Sequence, residues 1–569
     1  MPSKISLFIN RMNIYIFILL VIYLLFPISL NPIDTTFNFA DNLWYAKSIE
    51  LLKISFSQGT PFYLSKDTVF IWEDYKIFLA TPLWQMVGLG FSYIIAPHIF
   101  INLLIIVSLF LNLQLSYKLN LFLSKNNYVL SFLGAIIFWA SSLVLYSNWF
   151  NLMGLFFIPL TILSLLKYIK TSKVSSLIKY TLYLLLLCLS STYFIPIITL
   201  LILVFLIFNL QNNYKKRFLI IFLSAMVVWI SFITYKVPFK YLESYWKPIE
   251  IEKLLNERKI SSSVDAMHLI IPNNKNIFSN WQLEQVKNIA NLSVPYFRYS
   301  TYLPIPLIIL LILWIIKLYV WKEKLWKHWK VWLIIIILSF ILFLWDRIKI
   351  NWLDLWINNI LHYIKQLPNW EVLRKSAYFF FPLTFGISVM LIWILWQNYK
   401  KKYDFMFLIL SCFILLMNFS PYHWKHFKVH WKSNIVNELP KNSKILSLPN
   451  TWYNNWELSY FLFRHSNKLK FYEYWNATLP WYKNLKMSKQ NSFIRKLAYN
   501  EKIESKQNCD LDWDIDYIIL HQEYIENFFF FSNKTAKYIR AKNNIKQCTN
   551  FREFSRDNNV TIYKVLKRK

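Results

Sequence analysis

The stretch Lys167-Tyr168-Ile169-Lys170-Thr171-Ser172-Lys173-Val174-Ser175-Ser176-Leu177-Ile178-Lys179 decides how this chain is arranged. It joins two long apolar runs, and all its charges are lysines. Connectors of this kind recur at Tyr214-Lys215-Lys216-Arg217, Lys322 to Lys330 and Lys400-Lys401-Lys402. Short connectors held in the cytoplasm carry excess Lys and Arg, so the pattern orients a many-pass membrane protein. The alternate connectors are long, of mixed charge and rich in Trp and Tyr, and they face outward.

Composition agrees with this. The 569 residues are 56% hydrophobic and 19% aromatic. Several nearly charge-free runs reach roughly 17–22 residues, enough to cross a hydrocarbon core of about 30 Å. The first, Met12 to Leu30, follows Lys4 and Arg11 but ends Pro27-Ile28-Ser29-Leu30-Asn31. That ending has no small-x-small cleavage pattern, so the run reads as an uncleaved first span rather than a signal peptide. A formal net charge of +33 would suggest nucleic acid in a soluble protein. Here the cations flank spans, where they meet anionic lipid, and no nucleic-acid module accompanies them. Membrane lipids are the expected partner, and nucleic acid is not.

The spans are expected at Met12–Leu30, Ile99–Tyr117, Tyr128–Tyr146, Phe150–Leu166, Leu177–Tyr193 and Phe194–Leu210. They continue at Phe218–Tyr235, Leu303–Leu318, Val331–Trp345, Ala377–Trp396 and Phe405–Met417. That makes about eleven spans, with the N-terminus cytoplasmic and the C-terminus outside. Asp41–Ile54 reads as amphipathic, and Pro82–Ile95, short and broken by Gly88 and Gly90, as a membrane-skimming helix. A span at Pro82–Ile95 would invert every later loop and put Lys167–Lys179 outside. The fold class is therefore mainly α: a polytopic transmembrane helical bundle over 1–420, followed by a soluble extracytoplasmic α/β domain over 421–569. Within the bundle, 31–98 and 236–302 form large outward loops, and Asp346–Ser376 faces the same way. In the tail, Ile445–Leu448, Tyr517–Leu520 and Val560–Val565 read as strands. Cys188 and Cys412 read as small core hydrophobes. Cys509 and Cys548, in the outward tail, form either a disulfide or two unpaired thiols.

Chemistry is expected where ionisable residues meet the outer membrane surface. Asp34 follows the first span, and Asp41 comes seven residues later, two turns along one face if the segment is helical. A carboxylate there can take a proton from an alcohol nucleophile. Asp34 also suits the N-cap of a following helix. Glu73 and Asp74 are alternates of the same type. Arg374, followed by Lys375, can hold a phosphate through paired hydrogen bonds, or snorkel at the interface. Trp44, Tyr63 and Trp72 can stack on sugar rings or form an interfacial belt. His423, His426 and His430 cluster after the last span, but their aromatic and Lys neighbours favour a belt over a metal site. No metal site is assigned and no cofactor is certain; the sequence leaves a divalent metal open.

Several stretches together resemble the GT-C superfamily of multi-pass glycosyltransferases, and more closely the bacterial membrane-protein family related to YfhO. They are Asp34 with Asn38 and Trp44, Gly59-Thr60-Pro61-Phe62-Tyr63, Phe138-Trp139-Ala140-Ser141-Ser142, and Ser190-Ser191-Thr192-Tyr193. Leu367-Pro368 with Arg374, Leu439-Pro440, Lys444-Ile445-Leu446-Ser447-Leu448-Pro449 and Asp516-Tyr517-Ile518-Ile519-Leu520-His521 complete the set. The resemblance covers most of the chain, though each motif is loose. It implies an inverting enzyme of the bacterial cytoplasmic (inner) membrane using a lipid-linked (polyprenyl-phosphate) sugar donor and an envelope glycan, lipid or protein acceptor. It further implies Asp34 as base, Arg374 on the donor phosphate, and Asn38 beside sugar or acceptor. The chain departs from the family in lacking an adjacent acidic dyad near span 1, and in reading Lys-Ser after Arg374. Two rivals remain, a transporter or lipid flippase and a non-catalytic envelope-assembly scaffold of the same fold. The first lacks an internal repeat and leaves the large tail unexplained; the second would tolerate Asp34→Ala.

Overall fold

The structure is a computed structural model. It describes residues 4–24, 35–37, 39–57, 59, 64–65, 75–76, 81–139, 153–191, 194–195, 197–199, 201–202, 214–243, 303, 307–312, 326–344, 347–350, 353–358, 380–397, 400–418, 426–428, 438–440, 443–448, 470–472, 515–521, 542–556 and 560–566. The fold is mainly α: a bundle of apolar helices with a small sheet in the C-terminal region.

Helix α1 (Lys4–Leu24) begins at a basic end and stops short of Pro27. Strand β1 (Thr35–Phe37), α2 (Phe39–Ser57), β2 (Leu64–Ser65) and β3 (Tyr75–Lys76) follow. Then come α3 (Pro82–Phe91) and α4 (Pro97–Leu123), each opening on a proline whose missing N–H costs nothing in the first turn. Left-handed Lys125 and Asn126 end α4, with the Asn126 N–H reaching back to Leu121. Asn127 then caps α5 (Tyr128–Trp139) by accepting from the Leu130 N–H at 3.0 Å. Among the described residues α1 and α4 are long and apolar enough to cross a membrane.

The opening lysine stretch is not a connector of its expected length. Helix α6 (Phe157–Thr171) runs on through Lys167 and Lys170, Ser172 turns at φ 56°, and α7 (Val174–Ser190) starts two residues later. Lysine is a good helix former and its ammonium suits a helix C-terminus, so charge marked the side but not the helix end. The helices that follow are α8 (Tyr214–Glu243), α9 (Trp326–Phe343), α10 (Phe380–Gln397) and α11 (Asp404–Asn418). Most of these also extend beyond the expected spans. A hairpin, β4 (Arg347–Ile350) with β5 (Leu353–Asn358), stands between α9 and α10.

Three contacts gather the basic connectors at one end of the bundle. The Lys170 ammonium lies 5.6 Å from the Phe122 ring, Lys125 lies 4.6 Å over Trp396, and Lys216 donates to the Ser172 hydroxyl. The turns after α4, α6 and α10 and the start of α8 therefore share that end. Its described acid, Asp404, is buried. Helix α11 runs away from this end toward β6 (His426–Lys428), which pairs antiparallel with β1. The tail thus begins beside the first loop, as expected if α3 is no span. Ten residues of α3 rise only about 15 Å, half a hydrocarbon core.

Beyond β6, one mixed sheet holds β7 (Lys444–Leu448), β8 (Lys470–Tyr472), β9 (Tyr517–His521), β10 (Phe551–Arg556) and β11 (Val560–Val565) in the order β10-β11-β9-β7-β8. Central β9 is buried from Tyr517 to Leu520, the continuous apolar run of a strand covered on both faces. Edge strand β10 instead shows Arg552, Glu553 and Arg556, charges that discourage edge pairing. Asp516 joins three strands: it accepts from the Lys444 N–H at 2.9 Å, donates its own N–H to the Lys444 carbonyl, and accepts from Val565.

Candidate functional site

The end opposite the lysines is built from α2, α3 and the start of α4. Gly88 lets α3 approach its neighbours: a Cβ there would stand 2.5 Å from Ile49 and 2.9 Å from Phe100. Helix α3 is continuous through Gly88 and Gly90, so neither glycine breaks it. Trp84 stacks on Phe157 at 6.2 Å, which fixes α3 against α6. Its start is closed by Gln85, whose side-chain oxygen accepts from the Thr81 N–H at 3.1 Å. Lys53 of α2 donates to the Ser92 carbonyl at 3.0 Å and sits 5.0 Å over the Tyr93 ring. Tyr93 and Ile94 themselves are exposed.

Several expectations for this region change. Asp34 and Asp41 do not share a helix, because β1 intervenes and α2 starts only at Phe39. Position 34 directly precedes β1, the strand that pairs with β6, and not α2. Asp41 occupies the third position of α2. That helix is not amphipathic over Asp41–Ile54: Ser48, Ile49, Glu50, Leu51 and Leu52 are consecutively buried, since α2 is packed by α3, α4 and β1. Glu50 was passed over in the sequence. Its signal was there, as the one acid amid Ile49, Leu51 and Leu52, and it is 7% exposed.

Asp34, Asn38, Tyr63, Trp72, Glu73, Asp74, Arg374, Lys375 and Cys509 lie outside the described residues, as does the Trp44 side chain. Trp72, Glu73 and Asp74 belong to the connection between paired β2 and β3. Arg374 and Lys375 belong to the connection between β5 and α10. That connection returns at Phe380, 5.9 Å from Phe343, at the end away from the Lys125–Trp396 contact. The segments holding the expected base and the expected phosphate ligand therefore enter and leave the bundle at one end.

The resemblance motifs that are described do packing work. Phe138 meets Phe385 edge-on at 5.3 Å, and Trp139 is fully buried. Ser190 and Ser191 are buried, and a Cβ on Gly154 would collide with the Ser190 hydroxyl. Cys188 is buried as expected, but Cys412 is exposed on α11. Cys548 is disulfide-bonded. His426 faces Phe37 across the β1–β6 pair. Among the described residues no three His, Cys, Asp or Glu side chains converge on a metal position.

No protein-family model matches the chain, and no curated protein does. Among solved structures it is similar to the apo oligosaccharyltransferase of Archaeoglobus fulgidus, at 11% identity and TM-score 0.48, over 89% of this chain and 69% of that one. It is similar also to ArnT of Cupriavidus metallidurans bound to undecaprenyl phosphate, at 10% identity and TM-score 0.40, over 96% and 97% of the two chains. The Archaeoglobus enzyme tethered to an acceptor peptide containing the NVT sequon gives 10% identity and TM-score 0.41, over 97% and 74%. At these scores no residue role is taken from the likeness.

Proposed function

We propose that the chain is an integral-membrane glycosyltransferase of the GT-C superfamily, near the YfhO-related family. It moves a sugar from a polyprenyl-phosphate carrier to a cell-envelope acceptor on the outer face of a bacterial cytoplasmic membrane. The observation that supports this most is the gathering of the first loop, the short helix α3, the start of the tail and the flanks of the 359–379 connection at the end opposite the lysines. A lipid-linked donor suits that end, with its tail between helices and its phosphate at the interface beside Arg374.

An acceptor hydroxyl is a poor nucleophile at neutral pH, and its proton must leave as the new carbon–oxygen bond forms. Asp34 takes that proton while the lipid phosphate leaves with the bonding electrons. A positioned carboxylate contributes about 10²–10⁴ in rate. Asp34→Asn keeps the size and removes the base, so transfer falls at least about 100-fold with normal membrane insertion. Arg374→Ala instead raises the KM for donor. If Asp41→Asn or Glu73→Gln abolishes transfer while Asp34→Asn does not, the base is that residue. If all three carboxylate variants retain transfer, the mechanism is wrong.

A further inference from the structure

The interior face of α4 carries a ladder of polar side chains at four-residue steps: Ser108, Asn112, Ser116, Asn120 and, just past the helix, Ser124. All five are buried. Asn13 of α1 and Tyr117 adjoin it. Phe17, one turn from Asn13, meets the Tyr117 ring edge-on at 5.9 Å. Part of this set is satisfied internally. The Asn120 amide donates to the Ser116 carbonyl at 3.0 Å, Asn13 donates to the Asn10 carbonyl at 2.7 Å, and Ser124 and Ser131 hydroxyls meet at 2.9 Å.

The oxygens are another matter. Asn13 Oδ1, Ser108 Oγ, Asn112 Oδ1, Ser116 Oγ, Tyr117 OH and Asn120 Oδ1 are shielded and meet no hydrogen-bonding group of the protein. A single such atom lowers the folded population severalfold or more, and six together would exhaust the stability of an ordinary domain. Hydroxyls can turn toward their own helix carbonyls, but amide oxygens only accept and need a donor from elsewhere.

We propose that this ladder is a water-binding seam, a file of ordered internal water running along α4 from the lysine end to Ser108. Ser108 to Ser124 spans about 24 Å at 1.5 Å per residue. The acceptors are too spread along the helix to enclose one cation. Water needs two to four partners per molecule and supplies the missing donors. The four-residue step ends at Ser108, because Leu104 takes the next place toward the loop end, with Ile101 and Ile105 buried beside it. This inference is independent of the sugar-transfer reading.

Hydroxyl-radical footprinting of the full chain in lipid nanodiscs tests it, because radicals formed from bound internal water label adjacent rings. Tyr117 and Tyr180 are equally suited as a pair: both are buried, but the Tyr180 hydroxyl is paired with Ser224 at 2.6 Å. Tyr117 should be labelled severalfold faster than Tyr180, with slow amide exchange along α4, and Asn112→Leu should reduce Tyr117 labelling toward the Tyr180 rate. Equal protection of the two tyrosines overturns the proposal. So does fast amide exchange, which would make the labelling an opening of the helix, or labelling unchanged in Asn112→Leu.

Discussion

Two glycines two residues apart have opposite roles in α3. Adding a methyl at Gly88 drives it into Ile49 and Phe100, whereas at Gly90 nothing lies within 4 Å. Gly88→Ala should therefore destabilise by about 1–3 kcal/mol, the usual range for overpacking. Gly90→Ala should stabilise by about 0.5–1 kcal/mol by removing helix-interior glycine entropy. Thermal melts of the two purified variants check this, and equal shifts would mean α3 does not seat on α2 and α4. In the tail, burial pushes the Tyr517 phenol pKa up, and the neighbouring Asp516 carboxylate adds to it. The folded chain then holds that proton more tightly than the unfolded one. This contribution is full below about pH 10 and is lost as pH rises through the folded pKa. Tyr517→Phe should melt with a shallower alkaline decline than wild type; parallel declines would contradict it.

At the scale of elements, the pairing of β1 with β6 carries the topology. Thr36 stands opposite Phe427, within the Cα range a disulfide accepts across an antiparallel pair. Thr36→Cys with Phe427→Cys should cross-link on mild oxidation in membranes, and Thr36→Cys with Lys125→Cys should not. Cross-linking of the second pair alone would reverse the arrangement. Much of this scale was legible in the sequence. The three tail strands fall where Ile445–Leu448, Tyr517–Leu520 and Val560–Val565 indicated, because apolar β-branched runs carry that signal locally. Helix ends in the membrane part were less legible, since Lys167, Lys170 and Lys216 continue a helix while marking its end as basic. Pairing between β1 and β6 was invisible: each has three residues, and nearly 400 residues separate them. Glu50 was missed because its burial comes from α3 and α4, not from its own helix pattern.

For the whole molecule, the lysine end and the β1–β6 end define the two faces, and we propose that the lysines lie in the cytoplasm. A reporter or thiol probe at Lys569 should then respond only from outside; a cytoplasmic response would reverse the orientation. A tail facing outward would also lie where a disulfide is stable. Cys548 is bonded, Cys188 and Cys412 are free, and we propose Cys509 as the partner. Closing a loop of about 40 residues typically adds 2–4 kcal/mol. Counting thiols on unfolded, unreduced protein should find Cys188 and Cys412 alone, and a reactive Cys509 would refute the pairing. The central claim is sugar transfer from a lipid phosphate, and one incubation addresses it directly. Purified full-length protein in nanodiscs is mixed with envelope extract and a panel of radiolabelled polyprenyl-phosphate sugars. The account predicts that label from at least one donor moves to an envelope acceptor with wild-type protein and stays on the carrier with Asp34→Asn. Label that remains on every carrier with folded wild-type protein, or transfer that Asp34→Asn leaves intact along with Asp41→Asn and Glu73→Gln, would contradict it.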